Sequence, residues 1–244
     1  MHADAGNQDT LTVRAAAQLL WLEYSEEQFQ ALATYRDLLV EANTRMNLTA
    51  LKTAEAVEAR LIAESLAIVP LIGAGPHRLL DVGTGGGIPG IPLAIALPDS
   101  EIHLLDATAK KLAVIAEIVR QLGLDNVQIV RGRAEEVAHE PEKRGCYTVV
   151  VARAVARLPT LVEYTLPFLR RGGVAIFPKG RQVEAELREA MNAIDTLGGR
   201  LIDIFESPIS GARFVRVEQR RYSPARYPRK SGAPARQPIG VSTR

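Results

Sequence analysis

Two carboxylates and a run of glycines define the chemistry this chain can support. In "LLDVGTGGGIPGIPLAIALP", Leu79 to Pro98, Asp81 precedes five glycines, and Asp106 follows 23 residues after Gly83 in "EIHLLDATAKK". Glycine admits positive φ and close backbone approach to a ligand, and a helix starting beyond such a loop offers unpaired amide groups. At this distance Asp106 can accept both hydroxyls of a ribose, a feature common to nicotinamide and S-adenosylmethionine proteins. The same side chain can instead cap a helix that begins near Thr108.

Asp81 separates these ligands. A dinucleotide-binding strand is normally apolar at this point, and a carboxylate would repel a pyrophosphate. It can hold the ammonium end of a methionine moiety, through the loop backbone or a water. The glycines at 83, 85 and 87, with Ile88 close to where a dinucleotide loop places its third glycine, leave the pyrophosphate fingerprint incomplete. Methyl transfer from S-adenosylmethionine leads, and an NAD-dependent oxidoreductase is one rival, disfavoured by Asp81 and the incomplete fingerprint.

Three more segments bring chemistry to strand ends. "GRAEEV" follows the third expected strand, where adenine lies in folds of this kind. Ala134 and its backbone can flank the ring, with Glu135 nearby, or the segment is a solvated acidic turn. "VVVARAVA" brings Arg153 and "AIFPKG" brings Lys179 to the ends of the next two strands; cations there suit a phosphate-bearing substrate, or form ordinary surface ion pairs. His2, His77, His103 and His139 have no metal-ligand spacing with Cys or acids, and no nucleophile elbow is present, so hydrolase and metal chemistry find no support.

The elements that position these residues follow from hydrophobic period. "SEEQFQALATYRDLLVEANTRM" opens with Ser25 and Gln28 in capping-box spacing and places Phe29, Leu32, Leu39, Ala42 and Met46 on one helical face. Helices over 11–22 and 54–72 complete a helical lead. From Arg78, short β-rich runs alternate with helices expected at 89–97, 109–122, 158–169 and 182–197, a pattern that calls for a parallel sheet covered on both faces. "RLIDIFESPI" and "ARFVRVEQRR" are joined by "SGA" without a helix, so they pair as an antiparallel hairpin at the sheet edge. The expected division is a helical extension (1–75), an α/β domain (76–221) and a basic, proline-rich tail (222–244).

Composition narrows the class further. The chain has 244 residues, 47% of them hydrophobic, enough for a sizeable core, and a single cysteine, Cys146, excludes an internal disulfide framework. No run approaches the ~20 apolar residues of a membrane span, and the start "MHADAGNQDT" lacks signal-peptide character, so a cytoplasmic location is expected. A net charge of +2 hides nine Lys/Arg against the single acid Glu218 in residues 213–244. With its four prolines, the tail reads as either a solvated end or a polyanion-binding arm.

Together, "DVGTGGGIPGIPLAI", "LLDATAKKLAVIAEI", "GRAEE", "VARAVA", "FPKG", "YPRKSGAPARQPIG" and the early "NLTA" (Asn47 to Ala50) resemble the RsmG (GidB) family of bacterial small-subunit rRNA methyltransferases over about residues 25–240. The resemblance implies a Rossmann-like, seven-stranded methyltransferase sheet and S-adenosylmethionine contacts at Gly83, Ile88, Asp106, Ala107, Thr108, Ala134, Glu135 and Arg153. It further implies methylation of guanine N7 in the 530 loop of 16S rRNA, on the rRNA or a small-subunit precursor; the sequence leaves the oligomeric state open, with a monomer favoured.

N7 carries no proton, so displacement at the methyl needs no general base, and no catalytic residue is assigned. N7 lies on an edge that a regular A-form helix hides, so the target is a loop whose backbone Arg153, Lys179, Arg226, Arg229 and Lys230 can hold. The chain departs from the family at Ile88, where phenylalanine is frequent, and at Leu61 and Glu64, where a His and an Asp are common. A non-catalytic ribosome-assembly factor and a small-molecule methyltransferase are the competing classes.

Overall fold

A computed structural model describes residues 11–180 and 183–241. The polar start with His2, and residue 182, from which the last helix is expected to begin, lie outside the described residues.

Three helical segments lead the chain. α1 (Val13–Leu19) is followed by α2 (Glu26–Arg45), whose N-terminus carries the full reciprocal capping box of Ser25 and Gln28. The helix expected over 54–72 is instead a composite: α3 (Ala54–Val57), a π-helical turn (Glu58–Ile62), α4 (Ala63–Leu66) and a 3-10 turn (Val69–Leu71). Periodicity locates such a segment but does not show a one-residue change in its winding.

The α/β part then follows in order: β1 (Arg78–Val82), α5 (Gly90–Ala96), β2 (Glu101–Asp106), α6 (Ala109–Leu122), β3 (Val127–Arg131), α7 (Ala134–Val137), β4 (Tyr147–Val151), α8 (Leu158–Thr165), β5 (Leu169–Lys179), α9 (Glu184–Thr196), β6 (Gly199–Glu206) and β7 (Arg213–Gln219). The seven strands lie in the order β3-β2-β1-β4-β5-β7-β6. All pairs are parallel except those of β7, which runs antiparallel to both β5 and β6. The expected edge hairpin is therefore present, with β7 inserted inside β6. Strand order reverses between β1 and β4, so the crevice beyond their carboxyl ends is where an open α/β sheet binds ligands.

Two apolar cores cover the sheet. On one face Leu32, Tyr35, Leu39, Ile62 and Leu66 of the helical lead pack into the same cluster as Ile91 of α5 and Ile115 of α6. The lead thus extends the core of the α/β unit. On the other face α8 and α9 pack with Phe168 and Phe177, and Tyr227 of the tail joins them.

Over its described part the tail is docked by hydrogen bonds and is not a solvated end. The Arg144 guanidinium donates to the carbonyls of Ser223, Pro224 and Tyr227, and the Thr160 hydroxyl donates to that of Pro234. A short helix, α10 (Ala233–Arg236), is the last helix among the described residues. No helix among the described residues is long and apolar enough to cross a membrane, and none of their His, Cys, Asp and Glu side chains cluster in threes to hold a metal.

Candidate active site

The glycine loop after β1 is bound to the end of β2. The backbone N–H groups of Gly83 and Thr84 donate to Leu105 O at 2.8 and 3.0 Å, and that of Gly85 donates to Asp106 Oδ2 at 3.1 Å. The other Asp106 oxygen accepts from Thr108 N at 2.8 Å, so the aspartate braces the loop and the start of α6 together. Thr108 is itself the N-cap of α6, which has no side-chain cap, so Asp106 braces the turn before the helix without capping it, and each of its oxygens keeps a second lone pair for a ribose. Gly83 has φ +74°, and a Cβ there would stand 2.6 Å from Val155, so only glycine suits the point where β1 turns outward. From the helical lead, Tyr35 Oη donates to Gly86 O at 2.8 Å.

Asp81 is fully buried beneath this loop. Its Oδ2 accepts from Thr84 Oγ1 at 2.7 Å and from Gly90 N at 2.9 Å, while Oδ1 is buried without a partner. Burial pushes the carboxyl up to about 7, against the pull of those two hydrogen bonds. Gly90 makes this possible: a Cβ would lie 2.2 Å from Leu104 and 2.8 Å from Asp81 Oδ2.

Two cavities meet at Gly83. The first, about 270 Å³, is walled by Gly83, Asp106, Ala107, Ala134 and Glu135, with Val155 and Tyr164 opposite. The second, about 490 Å³, lies between the loop and the helical lead. It is bordered by Gly83 to Gly86, Ile88, Leu48 to Leu51, Arg60, Leu61, Lys111 and Arg153. Of the eight expected cofactor residues, five line the first cavity and Ile88 and Arg153 line the second. Thr108 lines neither and is held through its backbone by Asp106.

Glu135 is buried and accepts from Gly232 N of the tail at 2.9 Å, so "GRAEE" is not a solvated turn. The expected RNA-contacting cations divide. Arg153 borders the second cavity, its Nη2 donating to Arg60 O at 2.8 Å. Lys179 forms the ion pair that its sequence reading keeps as the alternative: its Nζ meets Glu186 Oε2 at 2.8 Å and Ala156 O at 2.9 Å. Arg229 is also ion-paired, forming a forked pair with fully buried Glu163 through Nη2 (2.6 Å) and Nε (2.9 and 3.2 Å). Both pairs are made with an acid on a neighbouring helix, Glu186 of α9 and Glu163 of α8. Arg226 lies over the Tyr227 ring, and Lys230 is exposed.

Sequence reasoning also missed the lead's share of the second cavity. Asn43, buried within α2, accepts from Leu48 N and Thr49 N at 2.9 and 3.0 Å and donates to Leu51 O at 2.9 Å. It thereby shapes the "NLTA" segment into a wall. A polar side chain on the apolar face of α2 was the available signal.

Comparison with known proteins agrees with this geometry. The family model for rRNA small subunit methyltransferase G matches residues 28–207. Ribosomal RNA small subunit methyltransferase G of Desulfitobacterium hafniense (strain Y51) is 38% identical, covering 93% of this chain and 95% of its own length. The protein of that name from Alkaliphilus metalliredigens (strain QYMF) is 39% identical, covering 94% and 98%. Among solved structures, a putative O-methyltransferase from Klebsiella pneumoniae superposes with a TM-score of 0.56 at 18% identity over 88% of this chain and 99% of its own, a likeness of fold alone. By the family match and by relatives that align over nearly their whole length, the chain belongs to the rRNA small subunit methyltransferase G family.

Proposed function

We propose that the protein transfers a methyl group from S-adenosylmethionine to N7 of a guanosine in the 530 loop of 16S rRNA. The observation that carries this reading is the pair of cavities joined at Gly83, one built for a nucleoside and the other bordered by cations.

S-adenosylmethionine fits the residues present. Asp106 offers free lone pairs for a ribose, Ala134 and Val155 offer apolar walls for a purine, and the buried Asp81 Oδ1 is an acceptor without a hydrogen-bond donor. The cofactor supplies an electrophilic methyl group when bound. The chain's own part is to hold the partners in line and keep them there, the positioning term that a base without a proton to lose chiefly needs.

The ionisable side chains bordering the second cavity are Arg60, Lys111 and Arg153, all cationic. They suit a nucleotide phosphate, and with no carboxylate or imidazole in that wall the arrangement agrees with a reaction needing no general base. Leu48, Leu51, Leu61 and Ile88 give the cavity apolar sides against which a flipped base can pack.

The experiment is to supply isotopically methyl-labelled S-adenosylmethionine and small-subunit rRNA or precursor particles. Transfer of label by the wild type, lost in Asp106→Ala, is expected. Unlabelled RNA from the wild type on both substrates would refute the reading.

A further inference from the structure

Strand β5 opens with a bulge. Tyr147 pairs with Leu169 and Val149 with Val174, so two steps along β4 match five along β5, and the intervening residues Arg170 to Gly173 stand out from the ladder. Bulges of this kind re-aim side chains. Glycine closes it: a Cβ on Gly173 would lie 3.0 Å from both Arg170 O and Tyr147 O, and Gly172 holds φ +76°. What the bulge presents is a pair of cations. Arg170 and Arg171 are exposed, and among the described residues neither has a hydrogen bond or an ion pair.

The surface beside the bulge has the same sign. Val174, the first residue past it, pairs with Glu218 of β7, which two exposed arginines share, Arg200 at 3.0 Å and Arg220 at 3.3 Å. Next along the chain, Arg221 meets Asp195 at 3.0 Å. The group therefore holds five arginines, and its two acids are already paired. Tyr222 follows, 61% exposed, its ring 3.0 Å from where a Cβ on Gly145 would be, with Leu169 O 3.9 Å from the same point. Arg144 holds the carbonyls of the next two residues, Ser223 and Pro224, which fixes the chain beside that ring. Free cations around an exposed aromatic ring suit a nucleic-acid backbone with a base stacked beside it.

This surface lies away from the crevice. From the bulge, β5 runs about 20 Å to Lys179 at the carboxyl end of the sheet, so a nucleotide held in the crevice does not reach it. We propose that Arg170, Arg171 and Tyr222 form a second RNA-binding surface, which takes the phosphate backbone and an unstacked base of a segment of small-subunit rRNA other than the loop in the crevice. The proposal rests on the functional reading above for the identity of that RNA.

The test compares wild type, the double variant Arg170→Gln with Arg171→Gln, Tyr222→Ala and Tyr222→Phe in binding to full-length small-subunit rRNA and to a short hairpin carrying only the 530 loop. On the full-length rRNA the double variant is expected to raise Kd at least about tenfold and to flatten the log–log salt dependence by about 1.4, at about 0.7 for each of two phosphate contacts. Tyr222→Ala is expected to raise Kd at least about fivefold with the slope unchanged, and Tyr222→Phe, which keeps the ring face, to stay within about twofold of wild type. Hairpin binding and S-adenosylmethionine affinity are expected to stay within about twofold in every variant. Wild-type binding of the full-length rRNA by the double variant, an equal loss on the hairpin, or a wild type that does not bind the full-length rRNA would overturn the proposal. A wild type that binds this rRNA yet transfers no methyl to it or to precursor particles would overturn the functional reading, and the binding comparison would still decide on the surface.

Discussion

Arg229→Met tests whether the tail is part of the folded unit. Glu163 is fully buried and receives the Arg229 guanidinium through three contacts and the Arg229 backbone N–H at 2.8 Å. Removing one member of a buried pair costs about 3–5 kcal/mol. The backbone N–H survives the substitution and the Arg229 side chain is 30% exposed, so the expected cost is about 2–3 kcal/mol. For a chain of this size that lowers Tm by about 4–12 °C. Glu163→Met combined with Arg229→Met is expected to recover most of the loss. Gly232 N also meets Glu135 at the wall of the first cavity, so loosening the tail weakens S-adenosylmethionine binding by about three- to tenfold, one hydrogen bond's worth. Scanning calorimetry and titration calorimetry read the two effects. A Tm within about 1 °C of wild type would refute the docked tail.

Three other perturbations follow from the loop. Asp106→Ala removes the acceptor of Gly85 N and Thr108 N together with the expected ribose contact, and titration calorimetry should show affinity for S-adenosylmethionine reduced by about 100-fold or more; near-wild-type affinity contradicts the assignment. Gly90→Ala places a Cβ 2.2 Å from Leu104 and should cost about 1–3 kcal/mol in chemical denaturation, whereas an unchanged midpoint would refute the packing. Asp81, at about 7 in the folded protein against roughly 3.9 unfolded, gives the folded state the extra proton between about pH 4 and 7. Wild-type stability should therefore fall relative to Asp81→Asn as pH rises through that window, while affinity for cationic S-adenosylmethionine rises. Parallel pH profiles for the two proteins would exclude an ionising Asp81.

Local chemistry was legible in the sequence wherever a residue's role depends on near neighbours. The Ser25–Gln28 capping box, the Gly83 turn and the place of Asp106 at a strand end all depend on spacings within one or two elements. The alternation of strands and helices, with the closing hairpin, carried the sheet. What stayed hidden depends on which helix faces which. Glu186 is seven residues from Lys179, but Glu163 is 66 from Arg229 and Gly232 is 97 from Glu135. A composition rich in Arg and Pro looks the same whether its cations face solvent or a buried acid, so the sequence leaves the docking of the tail hidden. The second cavity was concealed in the same way: its walls come from "NLTA", the π turn and the glycine loop, which meet only once α2 packs against α5.

Methylation at N7, as proposed above, is distinguished from other sites by the charge that the product carries. A guanosine methylated at N7 bears a fixed positive charge that makes its glycosidic bond sensitive to borohydride. The measurement is to label small-subunit rRNA with the purified protein and a methyl-labelled donor, then treat it with borohydride and aniline and map the breaks. Label together with strand scission at one guanosine of the 530 loop is expected, and neither with Asp106→Ala. Label retained on intact RNA would contradict the N7 assignment, and with it the expectation that no general base serves this site.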